Sequence, residues 1–374
     1  MINDSLLKGF DLCYDQIHKN VELEKRGIVS GEIGALFCLY YLYKLTGEHR
    51  YRNEMYQLAN QMIEKEDTSL SLGSGLAGLC LTLHWLGLGY LVNDQMEEVD
   101  RMLEQEYYLM LDKNDLDYYH GASGYLFYFL QKQNYVYLDS LVMAYQKRVE
   151  MNWKKHDWLT PFFEERGMPV MVTNLGTPHG ITGILLILLI AKEKCHIPLE
   201  TIITSICNLL LNYRFTKKKC SFFPSVIKQD GMKQESGIAW CYGDIMACYG
   251  ILKAGLLMNN AYYTEVGLWM LLQLNNRTDY MKDDLCLCHG YSSLMYIYRQ
   301  IYEMTKDESF CQSSLFWYNS AVSSFDIKIR KYEKERAFRD FMENPSLFMG
   351  VSGPFLALLT WETEYTEWTK CLLL

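Results

Sequence analysis

The stretch Gly180-Ile181-Thr182-Gly183 is followed by an unbroken apolar run from Ile184 to Ala191. This run is far too short to cross a bilayer, which needs roughly 20 apolar residues. A segment that is apolar on all sides predicts a helix buried within a protein core. Glycine at the start of such a helix has no Cβ atom, so neighbouring backbones are expected to approach closely there.

The same G-x-x-G pattern recurs along the whole chain, and an apolar segment follows each copy. More polar, periodic segments such as Tyr51 to Lys65 and Tyr262 to Leu272 lie between the copies and predict outer helices. Spacings from 44 (75 − 31) to 63 (243 − 180) residues suit repeated helix pairs. Five complete copies begin at Gly31, Gly75, Gly121, Gly180 and Gly350, and two degenerate copies, with Met246 and Ser293 as fourth residues, begin at Gly243 and Gly290.

Seven alternations of apolar and polar helices predict an all-α protein of the α/α-toroid class, with seven parallel inner helices and seven outer ones. We predict a single domain over residues 1–374, with the start of every inner helix at the same end. Residues 151–178 and 213–239 fill the longer spacings and contain the β-prone stretches Val170 to Thr173 and Phe222-Phe223. We expect these two insertions to form loops or small hairpins at the rim.

Composition excludes several classes of protein. The 374 residues are 49% hydrophobic and 22% charged, with a formal net charge of −9 and a pI of about 5.5. No basic footprint for nucleic acid is present, and no secretory signal is visible at Met1-Ile2-Asn3-Asp4-Ser5. We therefore expect a cytoplasmic protein without disulfides. Five of the 12 cysteines lie in apolar helical stretches and are predicted core residues: Cys13, Cys38, Cys80, Cys207 and Cys248.

Two glycine copies carry candidate metal ligands, namely Cys241 two residues before Gly243 and the pair Cys288-His289 just before Gly290. Two thiols and one imidazole suit zinc, and three protein ligands leave a coordination position open, which is typical of a catalytic site. A lone Cys-His pair is usually a buried thiol beside a satisfied histidine, but Cys241 in the equivalent place argues against that interpretation. Cys286 is an alternative sulfur ligand. We expect one Zn²⁺ per chain.

Two further candidates, Asp117 and His179, also precede glycines of the repeat, so we expect them near the same mouth as the zinc ligands. Helix N-termini carry partial positive charge and free N–H groups, which favour thiolate over thiol. Capping of a helix start is the alternative role for both residues. His120 also precedes a glycine and is a weaker catalytic candidate.

The chain resembles the lanthionine synthetase C-like (LanC) family through three motifs and the seven glycine copies. The motifs are Asn174-Leu175-Gly176-Thr177-Pro178-His179-Gly180, Trp240-Cys241-Tyr242-Gly243 and Leu287-Cys288-His289-Gly290. The resemblance implies an α/α toroid with zinc held by Cys241, Cys288 and His289. It also implies functional roles for Asp117, His179 and Tyr242.

The family resemblance implies a zinc-dependent lanthipeptide cyclase, which adds peptide cysteine thiols to dehydroalanine or dehydrobutyrine and forms thioether rings. The expected roles are general acid for His179, alternative proton donor for Tyr242, and either orientation of His179 or uptake of the thiol proton for Asp117. The expected partner is a dehydrated precursor peptide with leader and core. A dehydratase and an ABC exporter are candidate partners in a complex at the inner face of the membrane.

Family members often carry an arginine four residues before the first zinc cysteine, and this chain has Gly237 there. The alternative function is therefore a non-catalytic zinc-containing protein of this family that binds peptide or glutathione. A glycosidase on the same fold class would need two facing carboxylates, and Asp117 has no evident partner in the sequence. The chain is also compact, so a small extension domain of some members is expected to be reduced or absent.

Overall fold

A computed structural model provides the coordinates of the chain. It describes Gly9, Asp11, Tyr14 and residues 26–29, 31–65, 69–132, 135–162, 169–216, 221–277, 284–364 and 366–374. Cys13 and Gly167 lie outside the described residues. Among the helices of this described part, none is long and apolar enough to cross a membrane.

A helix follows every one of the seven glycine copies, as the sequence predicts. Each of these motif helices begins one or two residues after the first glycine of its copy, and most of their residues are buried. The motif helices are α1 (Ile33–Thr46), α3 (Leu76–Trp85), α5 (Ala122–Gln131), α7 (Ile181–Lys194), α9 (Asp244–Leu257), α11 (Tyr291–Thr305) and α14 (Ser352–Thr360).

Longer or more polar helices alternate with the motif helices and bury only one side. In the first of them, for example, Tyr51, Met55, Leu58 and Met62 are buried at the spacing of one helix face. These helices are α2 (His49–Glu64), α4 (Met96–Asp112), α6 (Leu138–Lys155), α8 (Glu200–Tyr213), α10 (Ala261–Leu274) and α12 (Glu308–Glu335). A short helix α13 (Arg339–Met342) and two 3₁₀ helices (Gly89–Gln95 and Glu367–Leu372) are further helical elements, and the described residues Gly9, Asp11 and Tyr14 are also helical.

The two insertions form hairpins, as predicted, and the hairpins join into one four-stranded antiparallel sheet of order β1-β2-β3-β4. The first hairpin consists of β1 (Leu159–Phe162) and β2 (Val170–Asn174), and the second of β3 (Pro224–Lys228) and β4 (Lys233–Glu235). Thr173 of β2 pairs with Ile227 of β3. This pairing between the insertions is not evident from the sequence, because it joins segments that are separated by α7 and α8.

Contacts between Cα atoms divide the chain into two units. The first unit contains Met1–Leu103, Lys282–Leu372 and Leu374, and the second contains Glu104–Met281 and Leu373. In the first unit α11, α14, α1 and α3 contact one another in that order, and in the second unit α5 contacts α7 and α7 contacts α9. The single domain over residues 1–374 remains a prediction.

Buried apolar side chains of the motif helices fill the core of each unit. Four predicted core cysteines are buried, namely Cys38, Cys80, Cys207 and Cys248. Where the degenerate copies lack their second glycine, Met246 is fully buried and the Ser293 hydroxyl donates to the carbonyl of Gly290 at 3.2 Å. Both replacements are accommodated in the same helix geometry as glycine.

Candidate metal and acid–base site

Most of the described loops before the motif helices share one hydrogen-bond arrangement, set by the residue six positions before the first glycine. We call this residue the clamp position. In five loops the carbonyl of the clamp residue accepts a hydrogen bond from the N–H of the residue that follows the first glycine. The five donors are Leu76, Ala122, Asp244, Tyr291 and Val351. Where the clamp position is Asp or Asn, its side-chain Oδ1 also accepts the N–H two residues on, which closes a tight turn. These residues are Asp115, Asn174, Asp284 and Asn344.

Close approach of a neighbouring backbone, as expected from the sequence, occurs at the second glycine Gly34, where a Cβ atom would lie 2.5 Å from the carbonyl oxygen of Pro345. The first glycines Gly121 and Gly180 instead fit their own loops. A Cβ atom on Gly121 would lie 2.3 Å from Oδ1 of Asp115, and one on Gly180 would lie 2.3 Å from the carbonyl oxygen of Asn174. The backbone of both glycines is extended, with φ of −106° and −148°. The absence of a Cβ atom is therefore the requirement, because each loop folds back onto its own glycine.

In the second unit, Asp117 and His179 form a hydrogen-bonded pair. His179 Nδ1 contacts Asp117 Oδ2, and Asp117 Oδ1 accepts the N–H groups of Tyr119 at 2.7 Å and His120 at 2.8 Å. The pair is partly accessible, since the side chains are 33% exposed for His179 and 19% for Asp117. Asp117 therefore both closes its own turn and fixes the orientation of the imidazole.

The environment favours the imidazolium form of His179. Burial alone would lower the pKa of His179, but the hydrogen bond and the negative charge of Asp117 outweigh it. The net effect is a raised pKa, to which the Cys241 thiol and Asp115 also contribute. A raised pKa favours the protonated ring, and a protonated imidazole can donate its proton as a general acid.

Tyr242 lies beside this pair. The ring centroids of Tyr242 and His179 are 6.2 Å apart, and the side-chain amide of Asn174 donates to the phenol oxygen of Tyr242 at 3.5 Å. Asn174 is 1% exposed and uses its other amide atom, Oδ1, to accept the N–H of Gly176 at 2.8 Å. A residue at a clamp position thus also contacts a predicted functional residue, and the sequence analysis did not assign it that role.

Main-chain bonds tie the loops of Asp117, His179 and Cys241 together. The N–H of Tyr118 donates to the carbonyl of Pro178 at 2.7 Å, and the N–H of Thr177 donates to the carbonyl of Cys241 at 2.7 Å. The Thr177 hydroxyl donates to the carbonyl of Trp240 at 2.7 Å. Backbone bonds between loops restrict their relative movement, so these three predicted residues occupy a defined arrangement.

Cys241 follows the fully buried Trp240 and is itself 7% exposed. Gly176 packs against this segment so closely that a Cβ atom there would lie 2.7 Å from the carbonyl oxygen of Cys241 and 2.8 Å from the Tyr242 ring. The indole of Trp240 packs near the ring of Tyr119, with centroids 6.1 Å apart. Trp240 therefore has a packing role.

A cleft of about 1040 Å³ opens beside these residues within the second unit. Asp117, His179 and Tyr242 line it together with the whole of β1 and with Met171 of β2. Its volume is at the upper end of the range for small-ligand sites, roughly 300–1,000 Å³. The exposed His120 also lines the cleft. The cleft is large enough to admit a segment of a peptide.

In the first unit, Cys288 and His289 end the loop before α11. His289 Nε2 donates to Asp284 Oδ2 at 2.9 Å, and the N–H of Cys288 donates to the carbonyl of Phe348 at 3.0 Å. Burial by itself would raise the pKa of Asp284, but hydrogen bonds from His289 and from the N–H of Cys286 reverse this effect and lower it. Metal-binding histidines usually donate their second ring N–H to a carboxylate in this way. The donor set and its hydrogen bonding therefore fit zinc.

Asp284, Cys286 and His289 also form a group in which one ligand atom of each lies within 4.8 Å of the others. Cys286 is 2% exposed, and burial raises the pKa of its thiol. This group keeps Cys286 as an alternative to Cys288 and adds Asp284, which the sequence analysis missed. The signal that points to Asp284 is its clamp position, six residues before Gly290.

Comparison with known proteins defines the class of the chain. The family model "Lanthionine synthetase C-like protein" matches residues 24–373. The chain belongs to the lanthionine synthetase C-like family.

Two individual relatives are informative. "Nisin biosynthesis protein NisC" of Lactococcus lactis subsp. lactis is 24% identical over 341 residues, which are 81% of this chain and 77% of that protein. The structure of "Nisin cyclase" matches with a TM-score of 0.80 at 18% identity, over 99% of this chain and 96% of that one. This structural likeness confirms the predicted fold class, an all-α protein of the α/α-toroid type with a few short strands.

Proposed function

We propose that the chain is a zinc-dependent lanthipeptide cyclase. Its substrate is a peptide that carries cysteine together with dehydroalanine or dehydrobutyrine, and its product contains lanthionine or methyllanthionine rings. The observation that carries the proposal is the Asp117–His179 pair in a peptide-sized cleft, in a member of the lanthionine synthetase C-like family. The similarity to nisin cyclase supports it.

We assign one zinc ion per chain to Cys241, Cys288 and His289. When bound, zinc lowers the pKa of a coordinated substrate thiol and supplies a thiolate at neutral pH. Two thiolates and one imidazole are ligands that zinc prefers, and three protein ligands leave a position for the substrate sulfur. The hydrogen bond from His289 to Asp284 supports the assignment of His289 as a ligand.

The reaction adds S–H across the C=C bond of the dehydro residue. The sulfur bonds to the β-carbon, the π electrons move to the α-carbon and its carbonyl, and a proton then adds to the α-carbon. We assign this proton to His179, whose raised pKa favours the protonated ring. Asp117 keeps the imidazole oriented and stabilises its positive charge, and the proton released by the thiol restores the imidazolium. Tyr242 is the alternative donor.

The precursor peptide is the proposed partner, and a dehydratase and an ABC exporter remain proposed partners from the family resemblance. Assembly at the inner face of the membrane is part of the same proposal. A cyclase acts on a product of a dehydration step, so an enzyme that dehydrates serine and threonine must precede it. This requirement follows from the dehydroalanine and dehydrobutyrine of the proposed substrate.

The test is a single-turnover reaction of the purified protein with synthetic peptides that contain one cysteine and one dehydroalanine or dehydrobutyrine. Mass spectrometry after thiol alkylation detects rings, since cyclisation removes free thiols without changing the peptide mass. Elemental analysis of the same preparation should find about one zinc per chain. Bound peptide that keeps its free thiol would instead support the alternative, a non-catalytic protein that binds peptide or glutathione.

A further inference from the structure

The loop that carries Cys241 lacks the side-chain clamp that four other loops share. At the clamp position Asp115, Asn174, Asp284 and Asn344 each accept a main-chain N–H through a side-chain oxygen, whereas this loop has Gly237. Only the main-chain part of the arrangement remains, in which the N–H of Asp244 donates to the carbonyl of Gly237 at 2.9 Å. The loop therefore needs another source of order.

Asp244, the first residue of α9, is fully buried and accepts four hydrogen bonds. Its Oδ1 accepts from the N–H of Phe223 at 2.8 Å and from the Ser236 hydroxyl at 2.9 Å. Its Oδ2 accepts from the N–H of Phe222 at 2.7 Å and from Arg277 Nη1 at 2.8 Å. One carboxylate thus joins the start of the second hairpin, its end and the start of α9.

Arg277, three residues beyond the end of α10, completes the connection. Its Nη1 pairs with Asp244, and its Nη2 donates to the carbonyl of Ser236 at 3.2 Å. The side chain of Arg277 is 13% exposed, so the ion pair is largely removed from water. The two ends of the guanidinium therefore hold the residue before Gly237 and the residue after Gly243.

We propose that Asp244 and Arg277 are positioning residues for Cys241, replacing the missing clamp of Gly237 by an ion pair that fixes the loop between Ser236 and Asp244. The role of Cys241 as a zinc ligand is part of the proposed function, and this inference rests on it. The order of the loop is independent of the proposed function, because the hydrogen bonds of Asp244 define it.

Energetics support a positioning role rather than a purely stabilising one. Burial raises the pKa of Asp244 to about 6, although its main-chain donors and Arg277 act in the opposite direction. A buried ion pair often gives no more stability than apolar residues of the same volume, and its value then lies in specifying one geometry. Six residues lie between Gly237 and the start of α9, and the two partners of the pair hold both ends of this span.

The experiment compares the wild-type chain with Arg277→Met, Arg277→Lys and the double variant Arg277→Met/Asp244→Asn. Arg299→Met is the matched control, because Arg299 also donates to a main-chain carbonyl, that of Trp361 at 2.8 Å, in a different loop. Two readouts are used: the rate at which iodoacetamide modifies Cys241 in the metal-free protein, followed by peptide mapping, and the zinc dissociation constant from chelator competition. Thermal melting monitors the fold.

In Arg277→Met, iodoacetamide should modify Cys241 faster than in the wild-type chain. The zinc dissociation constant should rise by about 10-fold or more, the scale for residues that orient ligands. Arg299→Met should change neither readout, and Arg277→Lys should lie between. The double variant removes the unpaired buried charge, so its melting temperature should recover while Cys241 stays reactive and zinc binding stays weak.

Unchanged readouts in Arg277→Met would overturn the proposal. So would a double variant that recovers wild-type alkylation and zinc binding, because the effect of Arg277→Met would then come from the unpaired charge alone. If Arg277→Met does not fold, the double variant and Arg277→Lys decide by the same readouts. If the wild-type chain binds no zinc, the proposed metal fails, and the alkylation rate still decides whether Arg277 orders the loop.

Discussion

The imidazole Nε2 of His289 donates to Asp284 Oδ2 at 2.9 Å, across a loop that the same carboxylate closes through the N–H of Cys286. Asp284 therefore has two tasks: it shapes the turn and it holds a proposed zinc ligand. Asn344 has only the first of these tasks, because its Oδ1 accepts the N–H of Ser346 at 2.9 Å in another loop of the same unit. Comparing variants of Asp284 and Asn344 therefore separates the shaping of the turn from the orientation of the proposed zinc ligand.

We predict that Asp284→Asn raises the zinc dissociation constant about 10- to 100-fold, as for other residues that orient metal ligands. The amide keeps an oxygen for the turn but loses the negative charge that faces His289. Asn344→Ala loses its turn contact and should leave zinc affinity unchanged. Chelator competition measures both, and wild-type affinity in Asp284→Asn would exclude a role for Asp284 in zinc binding.

Cys288 and Cys286 are competing sulfur ligands. We predict that Cys288→Ala loses zinc and that Cys286→Ala keeps it, because the buried Cys286 thiol has a raised pKa and favours its neutral form. Elemental analysis of freshly purified variants is the measurement. The opposite result, with zinc lost only in Cys286→Ala, would assign the site to Asp284, Cys286 and His289.

His179 should be needed for proton transfer and not for metal binding. We predict that His179→Ala retains zinc and slows cyclisation by about 10²-fold or more, the usual scale for loss of a general acid. His196→Ala is the control, since His196 is exposed and does not line the cleft. Thiol alkylation with mass spectrometry gives the rates. A wild-type rate in His179→Ala would mean that Tyr242 or water donates the proton.

We predict that stability depends on pH through the buried side chain of Glu32. Its side chain is 5% exposed, and burial raises the pKa to about 7 from 4.5, against a smaller opposite effect of Lys65. The folded chain therefore holds a proton that the unfolded chain releases between pH 4.5 and 7. The free energy of unfolding should fall as pH rises through this window, by at most about 1.4 kcal/mol per pH unit.

Glu32→Gln should remove this contribution. Chemical denaturation at several pH values would show it: the stability difference between Glu32→Gln and the wild-type chain should grow from pH 4.5 to 7 and then level off. All other titrating groups are common to both proteins and cancel in the difference. Parallel pH profiles would mean that Glu32 titrates normally in the folded chain.

Substitution of Gly183 tests whether the repeated glycines are needed because a Cβ atom would not fit. A Cβ atom there would lie 2.0 Å from the carbonyl oxygen of Thr177, so Gly183→Ala should destabilise the chain by about 1–3 kcal/mol, as overpacking does. At Gly89 the nearest atom to an added Cβ is 3.9 Å away, and Gly89→Ala should be nearly neutral. Denaturant titration of both variants measures the difference.

The sequence predicts the motif helices because each signal is local: a glycine, then an apolar run, as in Gly180 to Ala191. Pairing of Thr173 with Ile227 is not predictable in this way, since nothing in either hairpin identifies the other as its neighbour. The contacts of the glycines were predicted in part. A Cβ atom on the second glycine Gly34 would lie 2.5 Å from the carbonyl oxygen of Pro345, so a neighbouring backbone does approach closely there. At the first glycines Gly121 and Gly180 the excluding contact comes instead from the polar residue six positions earlier in the same loop, which an apolar run does not reveal.

The candidate site residues that are cysteine, histidine or aspartate could be identified from the sequence because the chemistry of these side chains is distinctive. Asp117 and His179 do meet in the structure. Asp284 and Asn174 escaped notice because a single Asx residue in a loop is ordinary, and its importance follows only from the recurrence of its position. The zinc set of Cys241, Cys288 and His289 remains a prediction.

The four-stranded sheet has a consequence for how this chain varies in evolution. Its second strand leads into the loop of His179, and its fourth leads into the loop of Cys241, while β2 and β3 pair in a fixed register. A residue added within β2 or β3 would shift this pairing by one position and turn the following side chains to the other face of the sheet, whereas residues added at the hairpin turns would leave the pairing unchanged. We therefore expect β2 and β3 to keep matched lengths among relatives, as one inherited unit, although α7 and α8 separate them along the chain.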